Sequence, residues 1–547
     1  MTEQFEALAS LDAALASAVR ATAGACSSGG RLNTAALDAH QSITYDLALC
    51  YADLLAARYA TSDVGERSAL DMRLGLAFAA EVAPLVLGRL EGIFLALGLP
   101  LATLDAIVAD VRRLRREAGT PESLAALGQA VAEATGELGD VPLDEQTLLA
   151  RDAFRRFARD IVAPLAEEIH RRDLTVPETL LGPMREMGVF GLSIPEQFGG
   201  SAPAEGENTP MMIAVTEALS EASLAAAGSL ITRPEILSRA LMAGGTEAQK
   251  AHWLPRIAAG DPLCAIAITE PDHGSDVAGL TLRGMPVDGG WLLNGAKTWC
   301  TFAGKAGLLM VVTRTDADRS LGYRGLSLLL VEKPSFDGHD FICEQPGGGV
   351  LRGRAIPTVG YRGMHSFDLA FEDFFVPDGN VVGGEAGLGR GFYLTMAGMT
   401  GGRIQTAGRA LGVMRAALNA AIAYAKDRKV FGAPLVDYQL TRVKIAQMAA
   451  RFAACRGLAY AVGRALDEGG GRMEASLAKL IACRSAEMVT REALQIHGGM
   501  GYAEESAVSR YWIDARVLSI FEGAEETLAL KVIGRGLLEQ ALAIEGK

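Results

Sequence analysis

Leu308-Leu309-Met310-Val311-Val312 is a short unbroken apolar run, and Leu326 to Val331 repeats the pattern after a polar break. Runs of this length, bounded by Gly, Asp or Arg, read as buried strands. They lie in a zone, residues 263–382, that has β texture throughout. No helix-length pattern separates its runs, which argues against a βαβ sheet and for an antiparallel barrel or sandwich.

Working outward, both flanks turn helical. In residues 143–262, Phe154, Phe157, Ile161, Leu165 and Ile169 recur at helical spacing and predict one amphipathic helix. Residues 383–547 return to Ala/Leu-rich periodicity, as in Ile404 to Arg428 and Val436 to Asp467. Residues 1–142 form an alanine-rich helical extension, with Leu47, Tyr51, Leu54, Leu55 and Tyr59 on one face. The expected fold is mainly α with a central β-barrel or sandwich domain, divided at 142, 262 and 382.

At 547 residues the chain exceeds one ordinary core. A net charge of −13 argues against a nucleic-acid-binding surface. The N-terminus lacks the basic-then-apolar order of a secretory signal. Leu74 to Leu101 is apolar but interrupted by Glu81, Pro84, Arg89 and Glu91, so it reads as a buried helix and not a membrane span. The cysteines (26, 50, 264, 300, 343, 455 and 483) are scattered and never form C-x-x-C. Reduced thiols in a cytoplasm, without disulfides or zinc, fit that pattern. The histidines show no ligand spacing, and no metal is expected.

The chemistry-bearing stretches are few. Ala267-Ile268-Thr269-Glu270-Pro271-Asp272-His273-Gly274-Ser275-Asp276 opens the β zone with hydroxyls and turn formers suited to a ring edge or a phosphate. Asn294-Gly295 is a hairpin-turn signal. It precedes Trp299 and Thr301, which at strand spacing share one face and offer an aromatic plane beside a hydroxyl. Arg428 three residues before Phe431 can pair with a phosphate while the ring covers an adenine. Gln495-Ile496-His497-Gly498-Gly499 lets backbone approach a pyrophosphate, but it is no dinucleotide fingerprint.

Ser519-Ile520-Phe521-Glu522-Gly523-Ala524-Glu525-Glu526 completes the set. A carboxylate flanked by Ile520 and Phe521 is a candidate for partial burial, which favours proton capture and suits a base. Read alone, the same octapeptide also fits an exposed helix start.

Together, in order and separation, these motifs resemble the flavin-dependent acyl-CoA dehydrogenases over residues 143–540. The resemblance implies an α domain, a β domain and a C-terminal four-helix bundle binding FAD, with a CoA thioester as substrate and electron transfer flavoprotein as partner. It implies that Ile266, Ile268 and Thr269 edge the flavin and that Ser275 reaches a pyrophosphate or the CoA. Trp299 would cover the ring and Thr301 would sit near its N5. Arg428, Phe431, Gln439, Gln495, Gly498 and Gly499 would hold the ADP half in a neighbouring subunit, so a homo-oligomer, at least a dimer, is expected. Glu522 takes the place of the general base, with an amide near Gly523 stabilising the thioester oxygen. Some members carry the base just before the arginine aligned with Arg403; here that place is Gly402, which cannot accept a proton. Ala524 and Glu526 depart from the usual threonine and glutamine, which puts those flavin contacts in doubt.

Arg233, in Ser229-Leu230-Ile231-Thr232-Arg233-Pro234-Glu235, aligns with the floor of the acyl pocket. It either pairs with the distal carboxylate of a short dicarboxylyl thioester or turns to solvent or Glu235. With the N-terminal extension it resembles members that oxidise (2S)-methylsuccinyl-CoA to mesaconyl-CoA. Isobutyryl- or glutaryl-CoA, an acyl-CoA oxidase, or a non-catalytic flavoprotein scaffold are the alternatives.

Overall fold

A computed structural model describes residues 6–62, 67–203 and 208–545. They divide into two compact units, one of Leu149–Gln405 and one of Met1–Leu148 with Thr406–Lys547.

The first unit is organised by eight strands: β1 Cys264–Ala267, β2 Arg283–Val287, β3 Gly290–Thr301, β4 Leu308–Arg314, β5 Leu326–Glu332, β6 Asp340–Glu344, β7 Val350–Ala355 and β8 Ser366–Pro377. Their order is β1-β4-β2-β3-β8-β7-β6, with β5 paired to β4. The sheet is mixed, which corrects the antiparallel expectation. β1 runs parallel to β4 from Cys264/Leu308 to Ala267/Val311. The chain leaves β1, turns through the β2–β3 hairpin and re-enters as β4 in the same direction, so no crossover helix is needed.

The apolar run is unbroken because both faces of β4 and β5 are covered. Leu309, Val311, Leu329 and Val331 pack with Leu293, Phe367, Leu369 and Phe374 of the sheet. Leu308, Met310, Val312, Leu328 and Leu330 pack against Ile236, Leu237 and Leu241 of the helix Thr232–Gly244 and against Trp253, Leu254 and Ile257 of the helix Glu247–Ala258.

Two local expectations change. The β2–β3 hairpin turns at Asp288-Gly289, where Gly289 has φ 76, not at Asn294-Gly295. Asn294-Gly295 lies inside β3, where Asn294 and Asp373 exchange hydrogen bonds of 2.9 and 3.0 Å across a register shift. Gly295 is required there, since a Cβ would stand 3.1 Å from Leu282 Cα at a φ of 134. The amphipathic helix is also not continuous: a π-turn at Ala158–Val162 separates Glu145–Phe157 from Ala163–Arg171. The extra residue rotates the buried face, leaving Ile161 exposed and Val162 inside.

In the second unit the N-terminal helices and the C-terminal helices share one core. The helix Pro121–Glu133 lies so close to the helix Gln439–Asp467 that a Cβ on Gly128 would stand 1.9 Å from the Arg442 carbonyl oxygen. Arg456, 1% exposed, donates to the Gly139 oxygen at 2.7 Å, and Arg451 pairs with Glu81 at 2.6 Å. The apolar stretch forms the helix Ala69–Leu97, with Pro84 inside it. No helix among the described residues is long and apolar enough to cross a membrane. Each of the seven cysteines is buried and free.

Gly128→Ala forces these two helices apart. It should cost about 1–3 kcal/mol, read from urea unfolding of the full chain.

Candidate active site

The loop around Glu522, in the unit that joins both chain ends, is clamped by a buried lysine. Lys479, on the helix Arg472–His497 and 1% exposed, donates to the Phe521 oxygen at 2.7 Å and also to the Gly523 oxygen. Both carbonyls flanking Glu522 are thereby turned inward. Glu522 itself has φ 54, a left-handed conformation that a side-chain-bearing residue adopts only under constraint, and Gly523 follows at φ 98.

The surroundings of Glu522 differ from the apolar pocket its neighbours suggested. Ile520 is 54% exposed and does not enclose it. Arg409, a fully buried guanidinium, lies 4.7 Å from the Phe521 ring centroid and places Nη2 3.1 Å from Glu522 Oε1. The same Nη2 donates to Thr406 Oγ1 at 2.6 Å. Oε2 is buried and has no hydrogen-bond partner among the described residues. One carboxylate oxygen is tethered and the other is not. Arg409 sits more than 100 positions from Glu522 in the chain, and local sequence does not reveal it.

Nearby, Ser519, Ala524, Glu525 and Glu526 line a cavity of about 480 Å³ with Arg484 and Arg516. Glu487 lines it too, and the guanidiniums are matched within it: Arg484 pairs with Glu525 at 2.6 Å and Arg516 with Glu487 at 3.5 Å. Farther along, the expected ADP-binding residues are all solvent-facing. Arg428, Gln439, Gln495, Gly498 and Gly499 are exposed, and Phe431 is 100% exposed at φ 48 on a small hairpin. Tyr424, one turn before Arg428, stacks on His497 at 4.3 Å, which brings the two segments together. A wholly exposed aromatic ring held in a left-handed backbone fits a flat partner supplied from outside.

In the other unit, Glu270 anchors the Thr269 loop. Its carboxylate accepts from Thr281 N and Oγ1, both at 2.7 Å, from Leu282 N at 2.8 Å and from Lys297 Nζ at 2.8 Å. Lys297 Nζ also reaches the Ile268 oxygen, and Thr298 N donates to the Thr269 oxygen at 2.9 Å. Burial works against the Glu270 charge, yet the Lys297 ammonium and these donors hold the carboxyl below its ordinary range. This pair was not foreseen, because a buried lysine inside a strand has no local signature.

Ile266, Ile268 and Thr269 are half-buried around the loop, and Ser275 is exposed. Trp299 and Thr301 do not share one face. A register shift opposite Asp368 puts Trp299 at φ 56 and leaves it 56% exposed, while Thr301 is buried with its hydroxyl 2.9 Å from Ser366 Oγ. The bulge interrupts strand alternation and presents the indole to solvent. The strained, exposed Trp299 beside the Thr269 loop matches what a planar cofactor requires.

Arg233 is 7% exposed and donates from Nη1 to the Ser229 oxygen at 3.0 Å and to Tyr361 Oη at 3.4 Å. Neither solvent nor Glu235 is its destination, since Glu235 pairs with Arg239 at 2.9 Å. Arg233 makes no ion pair among the described residues. Tyr361, at φ 59, sits in a loop pinned by Asp173, which approaches His365 Nε2 at 3.0 Å and Arg362 Nε at 3.4 Å. His339 joins that cluster, with ligand-type atoms of the three residues within 4.8 Å, although the histidines have no ligand spacing in sequence. Arg403 is half-buried and Gly402 buried on the helix Gly391–Asp427.

Removing one partner of a buried pair leaves an uncompensated charge. Lys297→Met should therefore cost about 3–5 kcal/mol in thermal or urea unfolding. Because the Glu270 carboxyl is held low, its contribution is present above its unfolded value of about 4.5 and lost as pH falls through the folded value. Unfolding scans of Glu270→Gln should accordingly lack part of the acid-side slope seen in the unaltered protein.

Comparison with known proteins agrees with this geometry. The N-terminal, middle and C-terminal domains of acyl-CoA dehydrogenase match residues 144–261, 265–374 and 389–538. The chain is 41% identical over 433 residues to (2S)-methylsuccinyl-CoA dehydrogenase of Cereibacter sphaeroides, covering 78% of this chain and 76% of that protein. Butyryl-CoA dehydrogenase from Megasphaera elsdenii superposes with a TM-score of 0.67 at 30% identity, over 73% of this chain and 100% of the other. A glutaryl-CoA dehydrogenase from Mycobacterium smegmatis in complex with FADH2 gives 0.64 at 27% identity, over 74% and 96%. With all three domains matched and a relative 41% identical over most of both chains, the chain belongs to the acyl-CoA dehydrogenase family, oxidoreductases acting on acyl-CoA.

Proposed function

We propose that this protein is an FAD-dependent dehydrogenase of a short branched dicarboxylyl thioester, (2S)-methylsuccinyl-CoA, producing mesaconyl-CoA. Arg233 carries the reading: it is buried, donates to neutral partners through Nη1 alone, and stands on the segment that resembles the floor of the acyl pocket, where an incoming anion can meet it. In methylsuccinyl-CoA the distal carboxylate is bonded directly to the β carbon, so its charge enters the protein with the reacting centre. A fatty acyl chain brings no such charge. The relation to a (2S)-methylsuccinyl-CoA dehydrogenase supports the same choice.

Glu522 is the base in this reading. The Cα–H bond breaks heterolytically and its proton passes to Oε2, the oxygen without a hydrogen-bond partner, while Arg409 fixes Oε1. When bound, the flavin supplies the hydride acceptor for the β carbon. The amide beside Gly523 stabilises the negative charge developing on the thioester oxygen. Ile266, Ile268, Thr269, Trp299 and Thr301 hold the flavin ring, and Ser275 reaches the pyrophosphate or the CoA. Arg428, Phe431, Gln439, Gln495, Gly498 and Gly499 hold the ADP half. The complete exposure of Phe431 supports a homo-oligomer in which this ring covers an adenine held by another subunit. Electron transfer flavoprotein is the proposed acceptor and the cytoplasm the proposed location.

Glu522→Gln should keep the yellow colour and acyl-CoA binding while flavin reduction slows by about 10²- to 10⁴-fold. Wild-type-like reduction refutes the base. Arg233→Leu should raise KM for methylsuccinyl-CoA by about 10- to 100-fold, the worth of a lost charged hydrogen bond, and leave butyryl-CoA unaffected. Equal use of both thioesters by the unaltered enzyme would sink the dicarboxylate assignment.

A further inference from the structure

The base loop is touched by a residue from the far end of the chain. Tyr45 lies on the helix Gln41–Thr61, and its hydroxyl donates to Glu525 Oε1, three residues beyond Glu522. Arg484 Nη1 reaches the same oxygen at 2.6 Å and stands 3.4 Å from the Tyr45 hydroxyl, closing a three-membered cluster. Glu525 is in turn part of the loop closure, since its N–H donates to the Ser519 oxygen at 3.0 Å. Ser519 Oγ donates to Glu487 Oε1 at 2.5 Å. The loop is thus held at Glu525 by Tyr45 and Arg484, at Ser519 by Glu487, and at the Phe521 and Gly523 carbonyls by Lys479.

A second observation, independent of the hydroxyl, brings the same helix to the same place. Gly534 ends the π-helical segment Leu528–Gly534 that follows the loop, and a Cβ there would stand 2.2 Å from Thr44 Cγ2 and 3.2 Å from the Thr44 oxygen. The glycine allows the helix Gln41–Thr61 to rest directly on the chain leaving the base loop. Burial and the neighbouring Glu525 carboxylate push the Tyr45 phenol up to about 12, so it stays a donor across the working pH range.

We propose that Tyr45 is a positioning residue for the general base, and that the N-terminal helices hold the catalytic loop in register through the Tyr45–Glu525–Arg484 cluster. The inference rests on Glu522 as base. The strained backbone at Glu522 needs tethers on both sides, and the C-terminal helices supply only part of them. A carboxylate base displaced by a fraction of an ångström loses its approach to the Cα proton, while substrate binding made elsewhere is untouched.

Tyr45→Phe removes one oxygen and keeps the ring. Single-turnover flavin reduction should slow by about 10- to 100-fold with KM unchanged and the melting temperature close to that of the unaltered enzyme. In hydrogen–deuterium exchange, the amides of Ser519 to Glu526 should exchange faster in this variant. Combining it with Glu525→Gln should add nothing beyond Glu525→Gln alone, since both act through one contact. Unchanged exchange in the loop, or multiplicative losses in the double variant, overturns the proposal. Exchange reports on the loop whether or not any thioester is turned over, so failure of the Glu522 reading is distinguishable: there the unaltered protein fails to reduce flavin with every acyl-CoA.

Discussion

The contact of Lys479 with the Phe521 and Gly523 carbonyls is the interaction on which the loop around Glu522 depends. The lysine ammonium is removed from water and is satisfied by the carbonyls on either side of Glu522. A buried cation without such acceptors is prohibitively costly, so the lysine and the loop conformation require each other. The left-handed backbone at Glu522 is the visible result. Once the carbonyls face inward, the side chain of Glu522 is directed to where Arg409 can hold one oxygen and leave the other uncommitted.

The same logic of buried charge runs through the unit that holds the β-sheet. Glu270 and Lys297 neutralise each other while fixing the Thr269 loop. Glu235 and Arg239 do likewise on the helix Thr232–Gly244. Other buried cations of this unit rest on neutral groups: Arg314 donates to the Leu280, Gly322 and Ala278 oxygens, Lys333 to the Gly304 and Pro334 oxygens, and Arg233 to the Ser229 oxygen and the Tyr361 hydroxyl.

Backbone strain recurs at several points of the fold. Trp299, Tyr361, Phe431 and Glu522 carry side chains at positive φ, as do the core residue Phe302 and Asp173, His365 and Asp373. Such conformations persist only where surrounding contacts over-determine them. The register shift opposite Asp368 shows the cause for Trp299: the inserted residue breaks the two-residue alternation that would have buried it beside Thr301.

Much of this was legible from the chain. The run Leu308–Val312 indicated strands and the Ala/Leu periodicity indicated helices around them. These features are local, set by side-chain type and spacing, and local rules carry them; Glu522 was singled out only by the resemblance of the motifs to a family. What the chain did not disclose depends on contacts across long separations. Asp288-Gly289 took the turn because cross-strand pairing with β8 drew Asn294-Gly295 into a bulge. Mixed strand direction followed from where β1 and β4 could bury their faces together. The partners of Glu522, Glu270 and Tyr45 are fixed by desolvation, which acts only when distant segments exclude water around the same charge. Sequence by itself determined which groups could do chemistry; tertiary structure decided which of them are paired and which are strained, because pairing and strain depend on segments that meet only in the fold.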